Sequence, residues 1–284
     1  MNLTTGEHRR KEARPPGFHR QRRDQFGVLR MIRFGLLGPL EIQTDQGAFT
    51  PRGVKVRTVL ALLAARRGQV VSLGTFAEEL WGSRLPRRPE TTVRTHIYHL
   101  RTMLERDCPV PVGQGTLATG SSGYLLRATE EQVDAEVFAA TAERGRTALV
   151  AGDTRRAAVL LRQALALWRG PALSDVAAGP ALSGHLRYLT DLRLRTLELR
   201  IDADMALGEH RELVPELRGL LAAHPLHEYF HRRLIETLWA SGRRSEALAA
   251  YRSLRALLAE ELGIDPSPEV QRLHAELLAL RPVA

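Results

Sequence analysis

Between residues 32 and 50 the apolar positions come in short runs, Ile32-Arg33-Phe34-Gly35-Leu36-Leu37 and Leu40-Glu41-Ile42, broken by Gly38-Pro39 and Asp45-Gln46-Gly47. Runs of this length between turn residues predict a small antiparallel sheet. Helical spacing follows at once: Val56, Val59, Leu60, Leu63 and Ala64 fall on one face of a helix that ends near Gly68. After the extended pair Val70-Val71, Ser72 is placed to cap a second helix holding Leu73, Phe76, Ala77 and Leu80, which Trp81-Gly82 stops. Beyond a linker over residues 83–89, a third helix is predicted from about Glu90 to Glu105. Its apolar residues Val93, Ile97, Leu100 and Leu104 are spaced by four, three and four, making one buried stripe. Strand-like runs at 115–119 and 124–127 flank Gly120-Ser121-Ser122-Gly123 and read as a β-hairpin.

After Thr129 every periodic segment is helical. Asp134 is read as the N-cap of a helix through about Val150, with further helices over roughly 153–168, 182–207, 210–223, 226–240, 244–262 and 267–280. A helix ends at a glycine and a new one follows at Gly152, Gly208 and Gly242, the last two 34 residues apart, which is the period of a TPR. Small or apolar residues recur in register, Ala157, Leu213 and Ala247 five positions after each glycine and Leu161, Leu217 and Tyr251 nine after. The first interval is too long, so an insertion around 170–190 is expected to interrupt the array. The fold class is therefore α+β. A winged helix-turn-helix of small antiparallel sheet, three helices and C-terminal hairpin wing spans 31–128, an all-α TPR-like domain spans 129–284, and residues 1–30 form a disordered basic arm.

Charge separates these parts. Residues 31–127 carry 13 basic and 7 acidic side chains, residues 1–30 carry 8 and 3, and residues 128–284 carry 20 and 22. A basic excess confined to the winged-helix half is the footprint of a nucleic-acid partner. Since all basic residues but Lys11 and Lys55 are arginine, a coding bias weakens any argument from arginine richness alone. The arm reads as a solvated tail or a source of unspecific phosphate contacts, and translation from Met31 would remove it. The single cysteine, Cys108, excludes an intrachain disulfide framework, and no segment reads as a signal peptide or membrane span, so a cytoplasmic protein is expected.

The polar face of the third helix fits DNA. Arg94 can donate a bidentate pair to guanine and His99 can reach a base edge, while Thr91, Thr92, His96, Tyr98 and Arg101 suit phosphate oxygens. The motifs Phe34-Gly35-Leu36-Leu37-Gly38-Pro39-Leu40, Leu80-Trp81-Gly82, Thr92 to Arg101 and Gly123-Tyr124 resemble those of the Streptomyces antibiotic regulatory proteins, whose DNA-binding part is an OmpR-type winged helix. The C-terminal half is similar to that family's bacterial transcriptional activation domain at 164–173, 224–228 and 262–266. The resemblance implies activation of biosynthetic gene clusters. It implies binding to direct repeats near promoter −35 elements as side-by-side protomers, a homodimer on double-stranded promoter DNA, and recruitment of the RNA polymerase holoenzyme. It also places Trp81 and the wing residue Tyr124 against the DNA backbone. One departure is that the family's wing commonly reads Thr-Arg-Pro-Pro-Gly-Tyr, whereas this chain has Thr119-Gly120-Ser121-Ser122-Gly123-Tyr124 and lacks the minor-groove arginine.

Other chemistries find little support. His224, His227 and His231 lack an identifiable further ligand for zinc, neither lysine follows a glycine-rich loop, and no nucleophile, base and orienter set is visible. No cofactor, metal or catalytic residue is expected, and no phosphoacceptor domain fits before residue 31. Trp168 and Trp239 lie on apolar helical faces as core residues. The rival readings are a TPR-type interaction scaffold with weak, unselective DNA binding, and a ligand-gated repressor using the same DNA domain.

Overall fold

The computed structural model describes residues 32–45, 47–108 and 115–279; the arm expected over 1–30 lies outside them. Strands β1 (Arg33–Gly35), β2 (Glu41–Thr44) and β3 (Gly47–Phe49) form an antiparallel sheet in that order, in register Phe34↔Ile42↔Phe49. Then come α1 (Val54–Ala65), β4 (Val71–Ser72), α2 (Leu73–Trp81), α3 (Pro89–Asp107), β5 (Leu117–Thr119) and β6 (Gly123–Leu126). The terminal hairpin does not stand alone: β4 joins it to make a second sheet, ordered β4-β6-β5. That pairing explains Gly123, where a Cβ would lie 1.9 Å from the Val71 carbonyl oxygen. Ser72 caps α2 as its sequence position predicts, its hydroxyl accepting from Thr75 N–H at 3.0 Å.

The second half is α4 (Asp134–Val150), α5 (Thr154–Leu165), α6 (Pro180–Ala206), α7 (His210–Ala223), α8 (Glu228–Ala240), α9 (Arg244–Leu262) and α10 (Pro268–Ala279). The three glycines of the repeat all adopt positive φ, between 76° and 84°. After each, the next residue's N–H reaches back to a carbonyl five positions earlier: Asp153 to Ala148, Glu209 to Asp204 and Arg243 to Leu238. This is the Schellman closure, which supplies partners for orphan helix-end carbonyls and requires a residue tolerant of left-handed backbone. The in-register positions are all buried, Ala157, Leu213 and Ala247 in one row, Leu161, Leu217 and Tyr251 in the other.

Three features differ from what the sequence predicts, and all have one cause. The helix α1 is buried nearly all round, from Thr58 to Ala64 without a break, rather than on one face. Asp134 opens α4 but does not cap it. Its carboxylate accepts instead from the backbone N–H groups of Leu36 at 2.7 Å and Leu37 at 3.1 Å, and from Arg169 at 3.3 Å. The insertion expected around 170–190 is divided: residues 166–179 lie against the first sheet and α1, and α6 begins at Pro180. Arg169 N–H donates to Leu37 O, Leu173 N–H donates to Leu36 O, and the Asp175 carboxylate accepts from Leu40 N–H at 2.7 Å. Leu173, buried here, holds a left-handed φ of 49°. The common cause is that the helical half covers the second faces of the sheet and α1.

A fourth bond set completes this junction. Glu79 of α2, only 5% exposed, accepts from the N–H groups of Gly179, Ala181 and Leu182 at the start of α6. A carboxylate there meets unpaired amides and the positive end of a 27-residue helix. Accordingly one apolar core runs from Phe34 and α1–α3 through Phe138 and Ala164 to Leu173, Leu182 and Leu189. A second gathers Ile201 with α7–α10.

Candidate nucleic-acid interface

Helix α3 starts with Pro89 at its first turn and Glu90 beside it, both suited to a helix N-terminus. Its stripe of Val93, Ile97, Leu100 and Leu104 is fully inside, which fixes the rotation of the helix and turns the remaining residues outward. Thr91, Arg94, Thr95, Tyr98, His99 and Thr102 are exposed, while Thr92, His96 and Arg101 are half-buried. Residues 91–102 contain no carboxylate, so the face offers donors and positive charge. Tyr98 is 64% exposed, with its ring 6.0 Å from that of His99. His99 also forms one wall of an open cleft of about 940 Å³ between the β2–β3 hairpin and α3, lined further by Thr50, Arg52, Met103 and Arg106.

The other predicted residues take varied places. The hydroxyls of Thr92 and Thr95 donate back to Arg88 and Thr91 carbonyls, as threonines in helices often do. Arg101 reaches the wing, donating to Thr119 Oγ1 at 3.3 Å, and so connects α3 to the hairpin. Trp81, at the last turn of α2, is half-buried with its ring 6.3 Å from that of His96. Tyr124 stands apart from the exposed set. Its residue is 8% exposed and its ring packs 6.5 Å from Phe76, so only a small part of it reaches solvent.

Burial pushes the His96 imidazole down from its ordinary value, and its neighbours His99 and Lys55 push it the same way. His96 is therefore neutral at neutral pH, with an N–H to donate. Lys55 is the residue that sequence reasoning missed. It donates to the Leu80 carbonyl and lies 5.8 Å from the Trp81 ring centroid. The available signal was its type, a lysine in a chain whose basic residues are otherwise almost all arginine.

The histidines considered for zinc serve elsewhere. His231 Nε2 lies 2.8 Å from Pro225 O, His227 stacks on Phe230 at 4.6 Å, and no group of three metal-ligating side chains occurs among the described residues. Trp168 packs edge-on against Phe138 at 5.4 Å. No helix among the described residues is long and apolar enough to cross a membrane.

Residues 50–126 match the family described as Transcriptional regulatory protein, C terminal, and residues 133–278 match the Bacterial transcriptional activator domain. The chain is 37% identical over 258 residues to Regulatory protein DnrI of Streptomyces peucetius, covering 88% of this chain and 93% of that one. It is 37% identical over 253 residues to Transcriptional regulator RedD of Streptomyces coelicolor, covering 89% of this chain and 72% of the relative. Among solved structures, Mycobacterium tuberculosis EmbR in complex with a low affinity phosphopeptide superposes with a TM-score of 0.82 at 30% identity, over 90% of this chain and 67% of that one. With an OmpR-type winged helix joined to an activator domain, and a regulatory relative, DnrI, matched over nearly its whole length, the chain belongs to the Streptomyces antibiotic regulatory protein family of transcriptional regulators.

Proposed function

We propose that this regulator is an activator that reads promoter direct repeats near the −35 element with α3 and recruits RNA polymerase from the same stretch of DNA. Residues 31–128 read the DNA and residues 129–284 act on the polymerase. Protomers sit side by side as a dimer on the repeats, and the genes controlled form a biosynthetic cluster. The observation that carries the reading is the α3 face: Arg94, His99, Tyr98 and Thr91 turned outward by a buried stripe, with no carboxylate from 91 to 102. Arg94 pairs with guanine and His99 meets a neighbouring base edge. Phosphates are held by Thr91, Thr92, His96, Tyr98 and Arg101, with Trp81 beside them and Tyr124 through its hydroxyl.

The test is binding of the purified protein to fragments of its own gene neighbourhood across a salt series, with random DNA as control. Arg94→Ala is expected to cost about 1–3 kcal/mol on the selected repeat and to relax selectivity at one base position. Footprints on spaced repeats, followed by transcription that rises with added polymerase, support the activator. A footprint with lowered transcription favours a repressor, and equal weak binding to every fragment favours a protein-interaction scaffold.

A further inference from the structure

At the rim of the α3 face, three helices bring three side chains to one place. Lys55, in the first turn of α1, holds its ammonium near the Trp81 ring of α2, and that ring neighbours His96 of α3. All three are half-buried, so each is placed by its neighbours yet open on one side. The Lys55 ammonium has three protons and gives one to Leu80 O, and no carboxylate pairs with it among the described residues. Ammonium, indole N–H and neutral imidazole N–H make a set of donors carrying a net positive charge, the complement of an oxyanion.

We propose that Lys55, Trp81 and His96 form a clasp for a single backbone phosphate of duplex DNA, and that closing the clasp takes up a proton at His96, so that DNA affinity rises as pH falls. This rests on the reading of α3 as the DNA-contacting helix. His96 belongs to the polar face of α3, so on that reading the clasp adjoins a strand flanking the groove. The titratable groups that face His96 are the Lys55 ammonium from α1 and His99 from α3, while α2 contributes the uncharged Trp81. In the free protein these neighbours and burial keep His96 neutral. A phosphate between Lys55 and His96 reverses the local field and favours the imidazolium. By linkage, a group whose proton affinity is higher in the complex strengthens binding as pH drops toward the range where the free imidazole titrates.

The alternative role for Lys55 is purely structural, a cation at the carbonyl end of α2. Lys55→Met separates the two, because methionine keeps an unbranched stem over Trp81 and removes the charge. In the clasp, Lys55→Met weakens binding about fivefold at moderate salt on selected and random DNA alike, and lowers the slope of log K against log salt by about 1. Between pH 8 and 5.5 at constant salt, wild-type binding tightens, and His96→Gln loses a large part of that tightening. An unchanged salt slope in Lys55→Met, or an unchanged pH slope in folded His96→Gln, overturns the clasp. If Arg94→Ala loses selectivity while Lys55→Met and His96→Gln are silent, the clasp falls and the groove-reading helix stands. If wild-type protein shows no sequence preference, both fall together.

Discussion

Among the described residues, the core beneath the sheet and the core of α7–α10 lean on different polar devices. Around the first, carboxylates meet backbone amides: Asp134 with Leu36 and Leu37, Asp175 with Leu40, Glu79 with Gly179, Ala181 and Leu182. Around the second, carboxylates mostly meet arginines, Glu228 with the Ser267 amide being an exception. Arg200, itself buried, pairs with Asp204 of its own helix and with Glu216 of α7, and Arg162 joins Asp204 and Glu209. The difference follows from backbone regularity. In the TPR-like array the turns at Gly152, Gly208 and Gly242 pair the helix-end carbonyls locally, and side chains are left to pair with one another. Where the sheet, the 166–179 segment and the start of α6 meet, the chain is irregular and buried. Its N–H groups need acceptors from elsewhere, and a carboxylate supplies several at once.

That contrast can be broken at its strongest point first. Glu79→Ala strands three amides at the head of α6 and is expected to cost about 4 kcal/mol of stability by urea unfolding, given the penalty for buried unpaired donors. A loss below about 1 kcal/mol would mean that solvent replaces the carboxylate and the junction is loose. Next, Arg200→Ala takes from Asp204 one of its two arginines and from Glu216 its buried partner, and is expected to cost about 2 kcal/mol. Its effect should fall on the second core, so hydrogen exchange should speed up in α7 and α8 before α1. Faster exchange in α1 and α3 first would show that the two cores do not unfold separately.

The smallest effect sharpens the comparison through pH. Burial pushes the Asp134 carboxyl above the ordinary carboxylate range, against the pull of two backbone N–H groups and Arg169. A raised folded value means that the folded state binds this proton more readily than the unfolded chain. The resulting stabilisation is fully present below the unfolded value and is lost as pH rises through the folded one. Asp134→Asn lacks it, so with a loss of about 1 kcal/mol at neutral pH the gap to wild type should widen on acidification into the carboxylate range. A gap that narrows instead would reverse the direction assigned to Asp134.

Much of the local architecture is legible in the sequence because it depends on neighbours. Ser72 and Thr75 are three residues apart, the α3 stripe repeats every three or four positions, and each repeat glycine closes its own helix. The polar face of α3 is legible for the same reason, as the complement of that stripe. What the sequence does not display is the junction. Asp134 has the look of a helix cap, and its actual partners lie 97 and 98 residues away; those of Glu79 lie 100 to 103 away. An apolar residue on a second helix face, such as Leu62 of α1, announces burial without saying what covers it. Lys55 escapes for a related reason, since its place beside Trp81 and His96 exists only once three helices have packed.

The length of α6 has a mechanical consequence. Its 27 residues make a rod of about 40 Å, with its first turn fastened to Glu79, two positions before Trp81, and its second half built into the other core. A tilt of roughly 5° in α2, imposed by whatever Trp81 leans on, would swing the far end of a 40 Å rod by roughly 3–4 Å. A rod of that length, pivoted at its α2 end, would act as a pointer, converting a small tilt there into a displacement large enough to change which side chains meet on the distant helices.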